Sequence, residues 1–432
     1  MITIPSKLCK KFNIKLGDVI FVKTGNHEFF GYVVGTNSSK RITLPLRLLK
    51  RLPFKEIKIK GTILTKRESH LKITNNKIDL YYSLPNRVRH LDWPLAIVKK
   101  DKEILVWSPA AYEQKIPRYL NLDTNLFEVF GLYQGEGYKK APVSGTRLEF
   151  VNCDKNLINI ILKFFEQKFN IPVKRWSAYV NYVYNRNNIK SHSQLVSHWS
   201  NETRIPLDNF RKTQYLKGKC INSAPLGTLH ILIPSCVLGE VCLDVMENLS
   251  ILATKKKNHA AAFLRGLMAA DGSAIQKQYK NYKTLRTADL AIETQNEVVL
   301  YGKILNVLEI EFKDYSSHSR KLAISGWNNF YKLAIWDIFK LHKKKKDSFR
   351  NGFSNHKYTR IIKKYLSPLV KDKLSVKELN KRLKLSSKGS LLLTLKIQMN
   401  KGLIKRSKEQ KGEYKYSLTK KGYNVLKFLE EY

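Results

Sequence analysis

Two short stretches of the 432-residue chain end alike. Val129 to Gly137 reads VFGLYQGEG and Leu264 to Gly272 reads LRGLMAADG. Each is an apolar run of helical character closed by a carboxylate and a glycine. Glu136 and Asp271 take the same place, 135 residues apart. Two carboxylates forced together repel and shift each other's pKa unless a divalent cation sits between them. The chemistry open to such a pair is therefore that of a hard metal ion.

Small residues fall at matching positions beside the acids: Gly131, Gly135 and Gly137 in the first copy, Gly266, Ala270 and Gly272 in the second. Glycine inside a helix costs about 1 kcal/mol relative to alanine. Two copies that keep small residues predict helices whose backbones approach closely. If they lie side by side in the same direction, their C-terminal ends bring the acids together.

The balance of 79 basic against 35 acidic residues leaves a formal charge of +44. That excess points to a polyanionic partner, nucleic acid first and an anionic membrane second. No run of about 18 apolar residues exists, and Ile231 to Met246 is interrupted by Pro234, Glu240 and Asp244. At the N-terminus Pro5, Lys7, Lys10 and Lys11 break any signal-peptide core. Five cysteines form no CxxC and ten histidines no HExxH, so the thiols read as reduced and a zinc site is not expected. The expected location is cytoplasmic and nucleoid-associated. No Ser/His or Cys/His nucleophile constellation stands at readable spacing.

The paired motifs resemble the LAGLIDADG homing endonucleases of the single-chain, two-motif kind, over roughly Leu126 to Lys346. The resemblance implies that the motif helices, with Gly131, Gly135, Gly266 and Ala270, form the interface of two αββαββα domains. It implies that Glu136 and Asp271 bind the catalytic metal, Mg²⁺ with Mn²⁺ as a substitute. It also implies that lysines near the end of each half, among Lys255, Lys256, Lys257, Lys343 and Lys344, stand by the reacting phosphate. A staggered double-strand break with 3′ overhangs would result. The first motif departs from the family's usual letters, with Gln134 and Glu136 where Asp is common.

The flanks of the motifs repeat as well. After the first come a strand (Arg147 to Asn152), a helix (Lys155 to Phe169), a strand (Thr228 to Ile233) and a helix (Cys236 to Leu249). After the second, the same order is predicted over Ala288 to Thr294, Glu297 to Leu308, Ile310 to Phe312, Lys321 to Ile324 and Trp327 to Phe339. The repeat reads α-β-α-β-β-α. The first half is longer, mostly between Pro172 and Gly227. Basic, aromatic and amide side chains interleave there: Lys174, Arg175, Tyr182, Arg186, Lys190 and Arg211 are candidates for DNA contact. In the second half Lys277, Lys283 and Arg286 take that role. His192 and His198 lie in the longer stretch, and a solvated position is the simpler reading of both.

Residues 1–65 carry thirteen basic and three acidic side chains. Ile2-Thr3-Ile4-Pro5 returns as Ile42-Thr43-Leu44-Pro45, each followed by a short basic helical turn (Lys7 to Lys11, Arg47 to Arg51) and a strand (Asp18 to Lys23, Glu56 to Lys60), with Gly17 at the first turn. The pattern resembles the AbrB/MazE swapped-hairpin DNA-binding family, with Lys55-Glu56 departing from its Gly-Asp. Residues 66–122 read as a few strands broken by prolines. Residues 356–432, with twenty-one basic and six acidic residues, resemble a winged helix, in which Lys396 on the recognition helix and Lys405 and Arg406 on the wing would meet DNA.

The expected architecture is α+β: a pseudo-symmetric LAGLIDADG pair (123–258 and 259–350), a β-rich N-terminal module (1–65), a connecting segment (66–122) and a C-terminal winged helix. The expected function is a site-specific, Mg²⁺-dependent double-stranded-DNA endonuclease of a mobile element, acting as a monomer away from membranes. The alternatives are a non-cleaving regulator on the same scaffold and, third, an intron RNA maturase.

Overall fold

A computed structural model describes residues 2–16, 18–24, 27–36, 39–42, 58–62, 72–84, 87–88, 93–94, 96–108, 111–139, 147–184, 190–217, 224–279, 281–385, 387–409 and 412–432. The fold is mixed α+β, and the chain divides into two compact units, Met1–Ala270 and Asp271–Tyr432. No helix among the described residues is long and apolar enough to cross a membrane.

The first unit opens with strand β1 (Ile2–Thr3), helix α1 (Ser6–Lys11) and strands β2 (Val19–Thr24), β3 (His27–Gly35), β4 (Lys40–Ile42) and β5 (Lys58–Thr62). They form one sheet in the order β1-β4-β3-β2-β5. Ile4, Ile14, Ile20, Val22, Val33 and Ile42 make its core, with Leu8, Cys9 and Phe12 packed against it. The two isoleucines that open the repeated tetrapeptides, Ile2 and Ile42, pair directly across β1 and β4. The rest of the second copy, from Thr43 through Arg51 to Glu56, lies outside the described residues, as does Gly17.

The connecting segment contains β6 (Lys72–Thr74), β7 (Lys77–Asp79), β8 (Arg87–Val88), β9 (Trp93–Pro94), β10 (Ala96–Lys99), β11 (Glu103–Ser108), β12 (Ala111–Pro117) and β13 (Tyr119–Asn121). Asn75 and Asn76 both take positive φ, 51° and 58°, the left-handed pair that a two-residue hairpin turn demands. Strand β13 returns to pair with β7, and Arg118 binds the buried Asp79 at 3.3 Å. This closes the segment just before the first motif.

Helix α2 (Thr124–Glu136) starts at Asp123, whose side chain accepts from the Leu126 N–H, satisfying one of the helix's orphan donors. Every residue from Leu126 to Gln134 is buried. A helix buried on every side belongs inside a protein. There follow β14 (Leu148–Asn152), α3 (Lys155–Phe169), β15 (Ser177–Tyr184), α4 (His192–Thr203), β16 (Gln214–Lys217), β17 (Thr228–Ile233), α5 (Cys236–Ala253) and α6 (Lys257–Ala270). The sheet order is β14-β17-β15-β16, with β16 parallel to β15 and the other pairs antiparallel. The extra length of this half supplies α4 and β16.

The second unit runs β18 (Gly272–Tyr279), β19 (Tyr282–Ala291), α7 (Gln295–Val307), β20 (Lys313–Asp314), α8 (Ser316–Ser319), β21 (Lys321–Ile324), α9 (Trp327–Ile335) and α10 (Lys343–Ser354). Its sheet order is β18-β19-β21-β20, all antiparallel. Here the sequence reading needs correction. The strand expected at Ala288 begins at Tyr282 and is half of a hairpin whose first arm, β18, the sequence does not announce. The strand expected over Ile310 to Phe312 forms at Lys313–Asp314, and the helix from Trp327 stops at Ile335 rather than Phe339. Strand β18 escapes because its residues are mostly polar or half-exposed and show no buried alternation.

The chain ends with α11 (Lys357–Leu366), β22 (Leu374–Ser375), α12 (Val376–Leu383), α13 (Lys388–Asn400), β23 (Ile404–Lys408), β24 (Tyr414–Leu418) and α14 (Lys420–Glu431), with a small sheet ordered β22-β24-β23. Ser375 caps α12 in a reciprocal capping box with Glu378. This part is built onto the helices before it. The Trp327 indole donates to Thr359 Oγ1 at 2.9 Å. Tyr331 stacks edge-on against Phe428, and Phe353 against Tyr432. Lys401 lies over the faces of Trp327 and Tyr358.

Candidate metal and nucleic-acid site

Helices α2 and α6 meet backbone to backbone inside the first unit. A Cβ on Gly131 would fall well inside contact distance of the Phe263 carbonyl, and one on Gly266 would collide with the Glu128 carbonyl and the Leu132 amide. The Phe127 ring stacks on His259 at 4.2 Å, and Arg265 Nε donates to Glu128 Oε1 at 2.6 Å. Contacts advance along both helices together, so the two run parallel. Their C-terminal ends therefore lie at one end of the seam. Glu136 is the last residue of α2 and Ala270 the last of α6; Asp271 is the next residue of the chain. Gly135 and Ala270 are half-buried in the final turns.

Each acid stands at a change from helix to strand. Gly137 bridges to Phe150, and the Tyr138 N–H donates to the Glu149 carbonyl. Gly272 pairs with Leu290, and the Ala291 N–H donates to the Asp271 carbonyl. Gly137 cannot bear a side chain, since a Cβ there would strike the Tyr133 ring. With Gly137 and Tyr138 counted as an incipient strand, the first sheet reads 137–138, β14, β17, β15, in the order of β18, β19, β21, β20 in the second unit.

Glu136 is half-buried, and Asn152 Nδ2 donates to its Oε1 at 3.1 Å. Asn152 comes from the end of β14 and is not among the residues the sequence points to. An amide donor with no periodic neighbour leaves no signal there. Among the described residues, no three His, Cys, Asp or Glu side chains gather as a metal site.

A second polar cluster, equally silent in the sequence, occupies one face of the first sheet. Glu149 is 1% exposed. Its carboxylate accepts from Arg147, from the Tyr179 hydroxyl at 3.1 Å and from His230 Nδ1 at 2.9 Å. Tyr179 stacks on His230 at 4.3 Å, and Asn181 Nδ2 lies 2.8 Å from His230 Nε2. Burial alone would raise the Glu149 carboxyl, but the hydrogen bonds from His230 and Arg147 and the Arg147 charge outweigh it and hold the group below the ordinary glutamate range. Burial first, and then the Glu149 charge, push the Tyr179 phenol up to about 12, so it remains a donor.

A carboxylate with a depressed pKa stabilises the fold fully above its unfolded pKa and loses that contribution as pH falls through the folded value. Glu149→Gln is therefore expected to be less stable than wild type at neutral pH, with the gap closing as pH falls below the ordinary glutamate range. Urea midpoints of both proteins across that range measure it; a gap that stays constant would show the charge to be immaterial.

The remaining predicted residues are dispersed. Lys174 and Arg175 are exposed on a short turn after α3, and Arg211 is exposed beside β15, its amide donating to the Ala178 carbonyl. Lys190 is half-buried, its carbonyl accepting from Tyr215. Arg186 lies outside the described residues. Tyr182 is not a surface residue: it is 1% exposed, on the buried side of β15 with Ala178 and Val180. Alternation along β15 sends Tyr179 and Asn181 outward instead.

Lys277, Lys283 and Arg286 are exposed on the β18–β19 hairpin, Arg286 at its register break. Lys396, Lys405 and Arg406 are exposed on α13 and β23, with Arg406 over the Tyr414 ring.

Lys255, Lys256 and Lys257 do not reach the acids. They stand at the start of α6, whose 14 residues rise about 20 Å to its C-terminal end. Lys343 and Lys344 open α10, which lies along the hairpin. Gly352 faces Gln276 and Leu285, while Ser348 Oγ bonds the Ala274 carbonyl, so the helix's N-terminal end points toward Gly272. His192 bonds Thr213 at 2.7 Å and His198 packs on Trp199. Among the described residues Cys9, Cys153, Cys236 and Cys242 form no disulfide.

No protein-family profile matches the chain, and no curated protein matches it. Among solved structures, the crystal structure of I-DmoI in complex with DNA and Ca aligns with a TM-score of 0.23 at 16% identity, over 49% of this chain and 87% of that one.

Proposed function

We propose that the chain is a metal-dependent endonuclease acting on double-stranded DNA, of the LAGLIDADG homing type. The observation that supports it best is the parallel, glycine-seamed pair α2 and α6, with an acid at the end of each helix and a sheet of the same strand order following each. In this reading residues 123–258 and 259–350 are pseudo-symmetric halves, and each acid serves one strand of the duplex.

Glu136 and Asp271 would hold Mg²⁺. The ion supplies a Lewis acid for the phosphoryl oxygen and lowers the pKa of water. Asn152 fixes one oxygen of Glu136 and so sets which way the longer acid reaches. The exposed cations of the two halves hold the phosphate backbone, while Tyr179, Asn181 and Arg147 face the duplex from the first sheet. Lys343 and Lys344 are the lysines proposed to stand nearest the reacting phosphate.

The test is direct. Duplexes selected from a randomised pool by binding are incubated with Mg²⁺ or with a chelator. A staggered double-strand break that depends on the ion is the expected product. The C-terminal helices with their basic wing favour a second reading, a DNA-binding regulator without cleavage. That reading takes over if selected duplexes are bound but never cut with Mg²⁺ or Mn²⁺.

Salt dependence checks the DNA-binding surface separately. Every cation removed from a phosphate should lower the slope of log K against log salt by roughly 0.9. Replacing Lys277, Lys283 and Arg286 by Gln should therefore flatten the slope by between one and three such steps, read by fluorescence anisotropy over a salt series. An unchanged slope would take the hairpin off the duplex.

A further inference from the structure

The tip of the β18–β19 hairpin and helix α11 enclose a cleft of about 680 Å³ within the second unit. Tyr279, Tyr282 and Thr284 line it from the hairpin, and Lys357, Arg360 and Lys364 from the helix. The three cations are spaced by three and four residues, so they form one stripe along α11. All three are exposed, and among the described residues no acid lines the cleft. The Tyr279 and Tyr282 rings lie 5.5 Å apart, tilted by 53°. The Arg360 guanidinium lies 4.7 Å from the centre of the Tyr282 ring. Tyr279 is 51% exposed, which leaves ring surface open to solvent.

We propose that this cleft binds an unpaired, single-stranded segment of nucleic acid. Two ring faces beside a cationic track are what a base and its flanking phosphates require. A base inside a duplex has both its faces covered by neighbours, so an intact duplex cannot use the rings. The volume falls within the range of small-ligand pockets, enough for an extruded nucleotide. Thr284 adds a hydroxyl that can donate to a phosphate or a base edge. The proposal rests on the nucleic-acid part of the reading above and is independent of cleavage.

The test uses the full chain at raised salt, with labelled oligo(dT), oligo(rU) and a duplex of equal length, read by anisotropy. The double variant Tyr279→Ala, Tyr282→Ala should lose roughly tenfold or more of its single-strand affinity and none of its duplex affinity. The double Phe variant, which keeps both ring faces, should bind like wild type. Bromodeoxyuridine placed in the oligo(dT) should photo-crosslink to the hairpin peptide around Tyr279 and Tyr282. Equal losses on duplex and single strand would overturn the proposal, as would no loss at all or a crosslink elsewhere. The two oligonucleotides distinguish DNA from RNA as the source of the strand. Absent duplex binding with retained single-strand binding would sink the endonuclease reading alone.

Discussion

On the endonuclease reading proposed above, Glu136→Gln and Asp271→Asn should each stop cutting while leaving duplex binding equal or tighter. Both changes preserve size and remove one negative charge. A hard cation loses affinity when a carboxylate becomes an amide, and the loss of metal chemistry is worth several kcal/mol at the transition state, about 10²- to 10³-fold or more in rate. In metal-free buffer, removing negative charge near phosphates cannot weaken their binding electrostatically. Neither residue is in the buried core, so both variants should melt near the wild type. Variants that unfold would make the acids structural, and the metal-site reading would fail.

Glu136→Asp is the finer measurement. It shortens the acid by one methylene and moves it relative to the Asn152 amide, 3.1 Å from Oε1 in the wild type. If the first half is slow because its acid is long, wild type nicks one strand and this variant cuts both. Asn152→Ala should act through Glu136, weakening the apparent metal affinity rather than the binding of DNA.

The largest effect on folding is expected at the seam. Gly131→Ala places a methyl group on the Phe263 backbone, and Gly266→Ala places one on the backbone of Glu128 and Leu132. Main-chain atoms inside a helix cannot swing aside as the end of a flexible side chain can. The helices must separate, and separation uncovers Phe127, Leu132, Phe263 and Leu267, all fully buried. It also stretches the Arg265–Glu128 pair, whose side chains are 12% and 8% exposed; a buried charge that loses its partner costs about 3–5 kcal/mol. A loss above roughly 4 kcal/mol, exceptional for a single methyl group, corresponds to a fall in Tm of about 10 °C or more.

Gly389→Ala is the matched control. Among the described residues its Cβ would meet only the Ser387 hydroxyl, 3.7 Å away, at the start of α13. Alanine there should stabilise by roughly 0.5–1 kcal/mol through helix propensity. Urea denaturation followed by circular dichroism reads both. Losses below about 1 kcal/mol at Gly131 and Gly266 would show that the seam has slack and that the glycines are not needed for close approach.

Features with local causes can be read from residue order alone. The caps at Asp123, Asp154 and Ser375 act on amides two or three residues away, so helix starts follow from residue type. The small residues of the two motifs foretell a close backbone approach, because few other forces keep glycine inside a helix. The amphipathic face of Lys155–Phe169 and the helix–hairpin–helix order of the C-terminus are legible for the same reason: periodicity is a property of neighbours along the chain.

Features that depend on residues brought together from afar emerge only in three dimensions. Glu149, Tyr179 and His230 come from three strands and meet because β17 lies between β14 and β15. Nothing in their spacing announces it. Tyr182 resembles its neighbour Tyr179 in sequence, and the pleat alone sets one inward and the other outward. Lys255 to Lys257 fall at the end of a half in sequence, but α6 runs away from them, and helix length separates them from its acid end. The C-terminal domain reads as detached because its docking aromatics, Trp327, Tyr331 and Phe353, lie in the preceding helices and show only as core residues there. Local preference fixes where an element begins; the face it buries, and so the side chains it leaves to meet a ligand, is set by the neighbours it packs against.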